Sequence, residues 1–230
     1  MVTLEDLSEL EEIIGYNFKN KDLLLQAVTH SSFANEQRIN KKPDYERLEY
    51  LGDAVLELVT SQYLYRKYPD RREGELTRMR AALVCETALV CCAEEIGIGR
   101  FMRLGKGEEA TGGRNRDSII ADVMEAIIGA IYLDSGIRKA TAHVERFVLS
   151  DSENKQKFYD SKTKLQEYVQ ANGNAPIRYE ITGQSGPDHD RTFRVAVYIG
   201  DDPKGEGEGK TKKAAEQKAA FQAILQLKKA

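Results

Sequence analysis

Cysteine is scarce in this 230-residue chain, and the three that occur, Cys85, Cys91 and Cys92, are odd in number with two adjacent. That is a poor disulfide framework and points to a reducing compartment. Long apolar runs are missing as well. The longest, Ala126–Leu133, falls far short of the ~20 residues that span a bilayer. The first residues, Met1-Val2-Thr3-Leu4-Glu5-Asp6-Leu7, are acidic and lack a basic segment, so no secretory signal is expected. These absences predict a cytoplasmic protein without a membrane partner. Histidine occurs only at 30, 143 and 189, and none follows a glutamate by three residues, which argues against the Glu-x-x-His pairs of di-iron carboxylate bundles.

Two-residue alternation is absent from residues 1–149, so this region is expected to be all-helical. Helical patterns cover 3–14, with Thr3 as a cap, and 18–30, followed by a polar loop at 35–44 that holds Pro43. Another runs from Glu46 to about Tyr68, where Pro69 stops it, and the next from about Glu75 through Gly97 without a visible break. The glycine-rich stretch 97–113 is expected to be a flexible loop. Two more helices are expected, one from Arg116 through Leu133 and one at 137–149. Residues 150–160 lack periodicity and look like a flexible linker. Beyond them the pattern changes: a short helix at 163–171, strands at 177–184 and 192–199, a third short strand within 203–209, and an alanine- and lysine-rich helix at 211–227. The expected fold is thus an all-α domain, 1–149, then a small α+β domain of order α-β-β-β-α, 161–230. The net charge of −3 is unevenly spread: residues 160–230 hold 12 Lys and Arg against 10 Asp and Glu, while 1–159 hold 22 against 27.

The acidic excess is patterned. In Glu46-Arg47-Leu48-Glu49-Tyr50-Leu51-Gly52-Asp53-Ala54-Val55-Leu56, the acids Glu46, Glu49 and Asp53 recur at three and four residues and share one helical face. Like charges at those spacings repel by about a few tenths of a kcal/mol per pair. Leu48, Leu51, Val55 and Leu58 form an apolar stripe beside them. Asp122 and Glu125 repeat the arrangement among Ile119, Val123, Met124 and Ile128. Two readings stand: ordinary solvated acids, or two half-sites that combine Glu49, Asp53, Asp122 and Glu125. Four carboxylates without histidine or cysteine suit Mg²⁺ or Mn²⁺, ions that support phosphoryl chemistry.

At the other end, Lys210, Lys212 and Lys213 stand at a helix start, where cations oppose the macrodipole and anions are favoured. They are either a solvated cluster or a phosphate-docking site. The nearby Gly-x-Gly-Lys-Thr is not a nucleotide-binding loop, because position 204 holds lysine instead of the required glycine. No nucleotide cofactor is expected.

With these residues in view, the chain resembles the bacterial ribonuclease III family. The resemblance rests on 46–56, on Thr29-His30-Ser31, on Glu73-Gly74-Glu75-Leu76-Thr77-Arg78-Met79-Arg80 and on Ser118-Ile119-Ile120-Ala121-Asp122-Val123-Met124-Glu125-Ala126. Residues 160–228 resemble the double-stranded RNA-binding domain that follows in that family. The resemblance implies a Mg²⁺-dependent endonuclease, with Mn²⁺ able to substitute, that leaves 5′-phosphate and 3′-hydroxyl ends with two-nucleotide 3′ overhangs in rRNA and mRNA processing. It implies that Glu49, Asp53, Asp122 and Glu125 hold metal and that Asp53, Glu125, Glu46 and Glu73 are catalytic. Gln166, His189, Lys210, Lys212 and Lys213 would contact double-stranded RNA. A homodimer is implied, with Tyr50 inserting into the partner where the family often has phenylalanine. The tyrosine keeps the ring but must place a hydroxyl. The alternative is a non-catalytic double-stranded RNA-binding protein with a degenerate nuclease domain, and retention of all six acids favours the enzyme. Three further expectations concern single features. His30 hydrogen-bonds at a helix end. Gly52 and Gly129 permit close helix packing. The 105–116 loop either touches RNA through Arg114 and Arg116 or only connects.

Overall fold

The computed structural model describes residues 4–37, 43–150, 152, 161–186, 191–209 and 211–227. The chain divides into two compact units, Met1–Ser150 and Asp151–Ala230. Of the expected linker, only residues 150 and 152 are described; the remainder, and Thr3, lie outside the described residues.

The first unit is helical: α1 (Leu4–Ile14), α2 (Lys21–Ala27), α3 (Ser31–Glu36), α4 (Glu46–Lys67), α5 (Glu73–Val84), α6 (Glu86–Ile96), α7 (Lys106–Ala110), α8 (Asp117–Ser135) and α9 (Ile137–Phe147). Three expectations need correction. The pattern read as one helix from Glu75 through Gly97 is two, because Cys85 is extended (φ −69°, ψ 155°) and ends α5 while starting α6. No glycine or proline marks that break, so periodicity alone runs through it. The stretch after His30 forms a separate helix, α3, because the His30 side chain accepts the Ser32 amide at 3.1 Å and caps it. His30 is therefore the helix-end hydrogen-bonding residue expected.

The 97–113 stretch is also more structured than a flexible loop. It contains 3-10 turns at Ile98–Phe101 and Gly113–Asn115, with α7 between them. Arg114 ties it down by donating to the carbonyls of Gly99 (2.6 Å) and Met102 (3.0 Å) and by pairing with Glu109. Arg116 pairs with Glu108 at 2.7 Å. Both arginines thus serve the loop's own fold.

α8 runs through the middle of this unit. Its residues Ile119, Val123, Met124, Ile127, Ile128 and Ile131 are buried, and it packs on α2, α4, α6 and α9. Its crossing with α4 is the most extensive helix contact of the unit. Two glycines make that crossing possible. A Cβ on Gly52 would stand 1.8 Å from the Glu125 carbonyl oxygen, and one on Gly129 would stand 2.2 Å from that of Leu48. Each glycine costs about 1 kcal/mol of helix propensity relative to alanine, which the close backbone approach offsets.

The second unit comprises α10 (Ser161–Ala171), β1 (Ile177–Ser185), β2 (Thr192–Ile199), β3 (Asp202–Gly209) and α11 (Lys212–Leu227). Its strands form one antiparallel sheet in the order β1-β2-β3. Val195 and Val197 on β2 pack with Leu165, Val169, Ala215, Ala219 and Ala223 in a separate core. Gly205 and Gly207 let β3 lie against α11: added Cβ atoms would meet the carbonyls of Ala219 at 2.4 Å and Ala215 at 2.3 Å. The alanine richness of α11 is thus the helix side of a backbone-close contact, matched by alternate glycines on the strand.

Gly52→Ala should destabilise the chain by about 1–3 kcal/mol, the usual range for overpacking, because the atom it meets is backbone and cannot rotate away. Denaturant unfolding measures this; a variant as stable as the parent would show that α4 and α8 separate without cost.

Candidate metal centre and nucleic-acid interface

The α4–α8 crossing sets the acids. Gly52 touches the backbone of Glu125, so the α4 turn carrying Glu49 faces the α8 turn carrying Asp122 and Glu125. Glu49, Asp122 and Glu125 place ligand-capable oxygens all within 4.8 Å of one another, and each is half-buried. Asp53 stands outside that triplet and is exposed, yet its charge reaches both Glu49 and Glu125. Glu46 is exposed at the start of α4, and its charge reaches Glu49 and Asp122.

Electrostatics record the crowding. Burial pushes the Glu125 carboxyl up from its ordinary 4.5 to about 8, with Asp53, Glu49 and Asp122 adding in that order. Burial also raises Glu49, followed by the charges of Asp122, Asp53 and Glu46. Asp122 is raised by burial too, but the Tyr45 hydroxyl, donating to its Oδ2 at 3.1 Å, and the His30 ring pull it back. Among the described residues, no lysine or arginine forms an ion pair with Glu49, Asp53, Asp122 or Glu125. An all-oxygen donor set, half-buried and without such an ion pair, fits a hard divalent cation. Tyr45 was not anticipated from the sequence. Its partner lies 77 residues away, and no local spacing announces such a pair.

Glu73, at the first residue of α5, lies elsewhere on the described surface. It accepts from the Thr77 hydroxyl at 2.9 Å and lines a groove of about 550 Å³ with Leu58, Gln62, Tyr65 and Leu76. Along α4, Tyr50 is 79% exposed, Leu58 61% and Tyr65 74%. That is a run of large apolar side chains left in water, of a kind that marks interaction surfaces.

In the second unit, Gln166 is exposed on α10 beside a cavity lined also by Lys162, Thr163, Gln170 and Tyr179. Lys162, which sequence reasoning passed over, sits 4.7 Å from the Tyr179 ring centroid and pairs with Glu216 at 2.5 Å. Lys212 and Lys213 are exposed in the first turn of α11, with the Lys212 ammonium 5.9 Å from the Phe193 ring centroid. His189 and Lys210 lie outside the described residues.

Comparisons with known proteins match both units. The family described as Ribonuclease-III-like matches residues 20–152, and the double-stranded RNA binding motif matches 161–227. A curated relative from Listeria monocytogenes, named Ribonuclease 3, is 50% identical over 221 residues, covering 95% of this chain and 96% of its own. Another of that name, from Caldanaerobacter subterraneus, is 48% identical over 224 residues, covering 96% and 98%. Among solved structures, the nuclease domain of ribonuclease III from Campylobacter jejuni is 41% identical with a TM-score of 0.58, covering 63% of this chain and 96% of that domain. That structure was described for flexibility in a region involved in dimer formation.

The raised Glu125 carboxyl gives a pH test. A folded-state value above the unfolded one means that the native state holds the proton longer. Stability contributed by that proton is therefore full below 4.5 and is lost as pH rises toward about 8. In chelator, the melting temperature should fall between pH 5 and 8, and Mg²⁺ should restore it most at the upper end. A Mg²⁺ effect that is flat with pH would contradict the assignment.

Proposed function

Because this chain belongs to the ribonuclease III family, we propose that it is a divalent-metal-dependent endonuclease that cuts double-stranded RNA as a homodimer. The observation that carries the reading is the half-buried carboxylate triplet, which among the described residues forms no ion pair with a lysine or arginine, on a chain whose second unit matches the double-stranded RNA binding motif. Glu49, Asp122 and Glu125 would hold Mg²⁺, or Mn²⁺ in its place, with Asp53 at the margin. Such an ion supplies a more acidic water and charge to offset that building on the phosphoryl group. Asp53 and Glu125 are the acids assigned to the reaction itself, with Glu46 and Glu73 acting at the cleavage site and its surroundings. The products expected are 5′-phosphate and 3′-hydroxyl ends with two-nucleotide 3′ overhangs, and the substrates precursors of rRNA and mRNA.

An acidic centre repels RNA, so affinity must come from elsewhere. Gln166 on α10 suits the wide minor groove of an A-form duplex, and Lys212 and Lys213, with Lys210 and His189, suit its phosphates and groove edge. The exposed face of α4 supports the dimer: Tyr50 would enter the partner, and the groove lined by Leu58, Tyr65 and Leu76 offers apolar surface for burial. That Cys85, Cys91 and Cys92 form no disulfide agrees with a reducing, cytoplasmic setting.

Glu125→Gln tests the enzyme. Gln matches the shape of the neutral carboxyl that burial already favours, so fold and RNA binding should persist. Loss of a group that merely supports a metal ligand costs about 10–100-fold, so loss of a ligand should cut cleavage by at least that. Gel-shift in Ca²⁺ beside cleavage in Mg²⁺ reads both, and lost binding with lost cleavage would make Glu125 structural. For the second unit, replacing Lys212 and Lys213 by alanine should lower the slope of log affinity against log salt by about 1 per phosphate contact removed. An unchanged slope would remove both from the interface.

A further inference from the structure

Tyr45 is 3% exposed and sits just ahead of α4, where nothing in the proposed reaction uses it. A buried phenol needs a partner, and its partner is Asp122 Oδ2 on α8, 3.1 Å away. The ring is fixed independently of that bond. The Tyr45 amide donates to the Thr29 carbonyl at 2.9 Å, and the His30 ring lies 5.6 Å from the Tyr45 ring, tilted 55°. Thr29 is fully buried, its hydroxyl donating to the Leu25 carbonyl at 2.6 Å. The segment is clamped on its other side by Arg103, whose amide donates to Val28 at 2.7 Å and whose carbonyl accepts from His30 at 3.0 Å. The hydroxyl therefore reaches Asp122 from the N-cap of α4, a position held from outside α4 and α8 by the Thr29 segment.

We propose that Tyr45 is a positioning residue for the metal centre: its hydroxyl holds one oxygen of Asp122 and so fixes how that carboxylate presents the other beside Glu49 and Glu125. The Asp122 side chain has rotational freedom of its own on α8, and like-charged neighbours push it away. A single donor on Oδ2 removes that freedom before any cation arrives. Hydrogen bonds to ligating carboxylates orient them and tune affinity, and their loss typically costs about 10–100-fold in metal affinity or activity. The proposal rests on the metal-centre reading above.

The test compares the full-length protein with Tyr45→Phe and with 4-aminophenylalanine at position 45, which keeps a ring-borne donor. Mn²⁺ binding is followed by calorimetry without RNA, and each melting temperature is measured in chelator. Tyr45→Phe should stay folded, bind Mn²⁺ roughly 10- to 100-fold more weakly and regain cleavage as Mg²⁺ is raised, with duplex binding in Ca²⁺ unchanged; the amino variant should bind Mn²⁺ close to the parent. Unchanged Mn²⁺ affinity in Tyr45→Phe would overturn the proposal. So would a loss that the amino variant shares, or a variant that does not fold, since each makes the side chain a packing group. If the parent itself binds no Mn²⁺ while its Glu125→Gln variant behaves identically, the metal-centre reading fails, separately from the part assigned to Tyr45.

Discussion

Everything in the nuclease unit depends on how closely α4 and α8 approach. Gly52 and Gly129 bring each helix against the other's carbonyls, at distances that no side chain would permit. Glu49 comes from α4 and Asp122 and Glu125 from α8, so separating the helices separates the acids. The glycines are thus part of the centre although they carry no chemistry. The apolar residues of α8 hold the crossing shut from the other side, through contacts with α2, α6 and α9.

That closeness works against the charges it brings together. Burial and mutual repulsion hold Glu125 near pH 8 and raise Glu49 and Asp122 as well. Without a cation, the centre is relieved by taking up protons. A divalent ion offers a second form of relief, one that leaves the carboxylates ionised and puts positive charge where a phosphodiester would meet it. Stored repulsion of this kind is characteristic of functional sites. Tyr45 belongs to the same balance: its hydroxyl relieves Asp122 in part, while the segment behind it keeps the carboxylate from swinging out.

Much of this was legible in the sequence, and the exceptions have physical reasons. Acids at i, i+3 beside apolar stripes marked Glu49, Asp122 and Glu125, and interior glycines in two helices marked the crossing, because both are local patterns. The small unit was read strand by strand, with the second strand at 192–199 as observed, since alternation is also local. What escaped depended on partners far along the chain. Cys85 ends a helix without a breaker residue, Arg114 is consumed by carbonyls of its own loop, and Tyr45 finds its acceptor across 77 residues. The Ser31–Glu36 helix was missed because its cap is a histidine, a residue that does not usually announce a helix start.

If the acids gathered by the α4–α8 crossing are a cation site, anomalous diffraction from crystals of the protein soaked in Mn²⁺ should show a manganese peak ligated by Glu49, Asp122 and Glu125, with the Tyr45 hydroxyl still on Asp122. Strong manganese peaks elsewhere in the chain, with none among these three carboxylates, would mean that the crossing gathers no cation site.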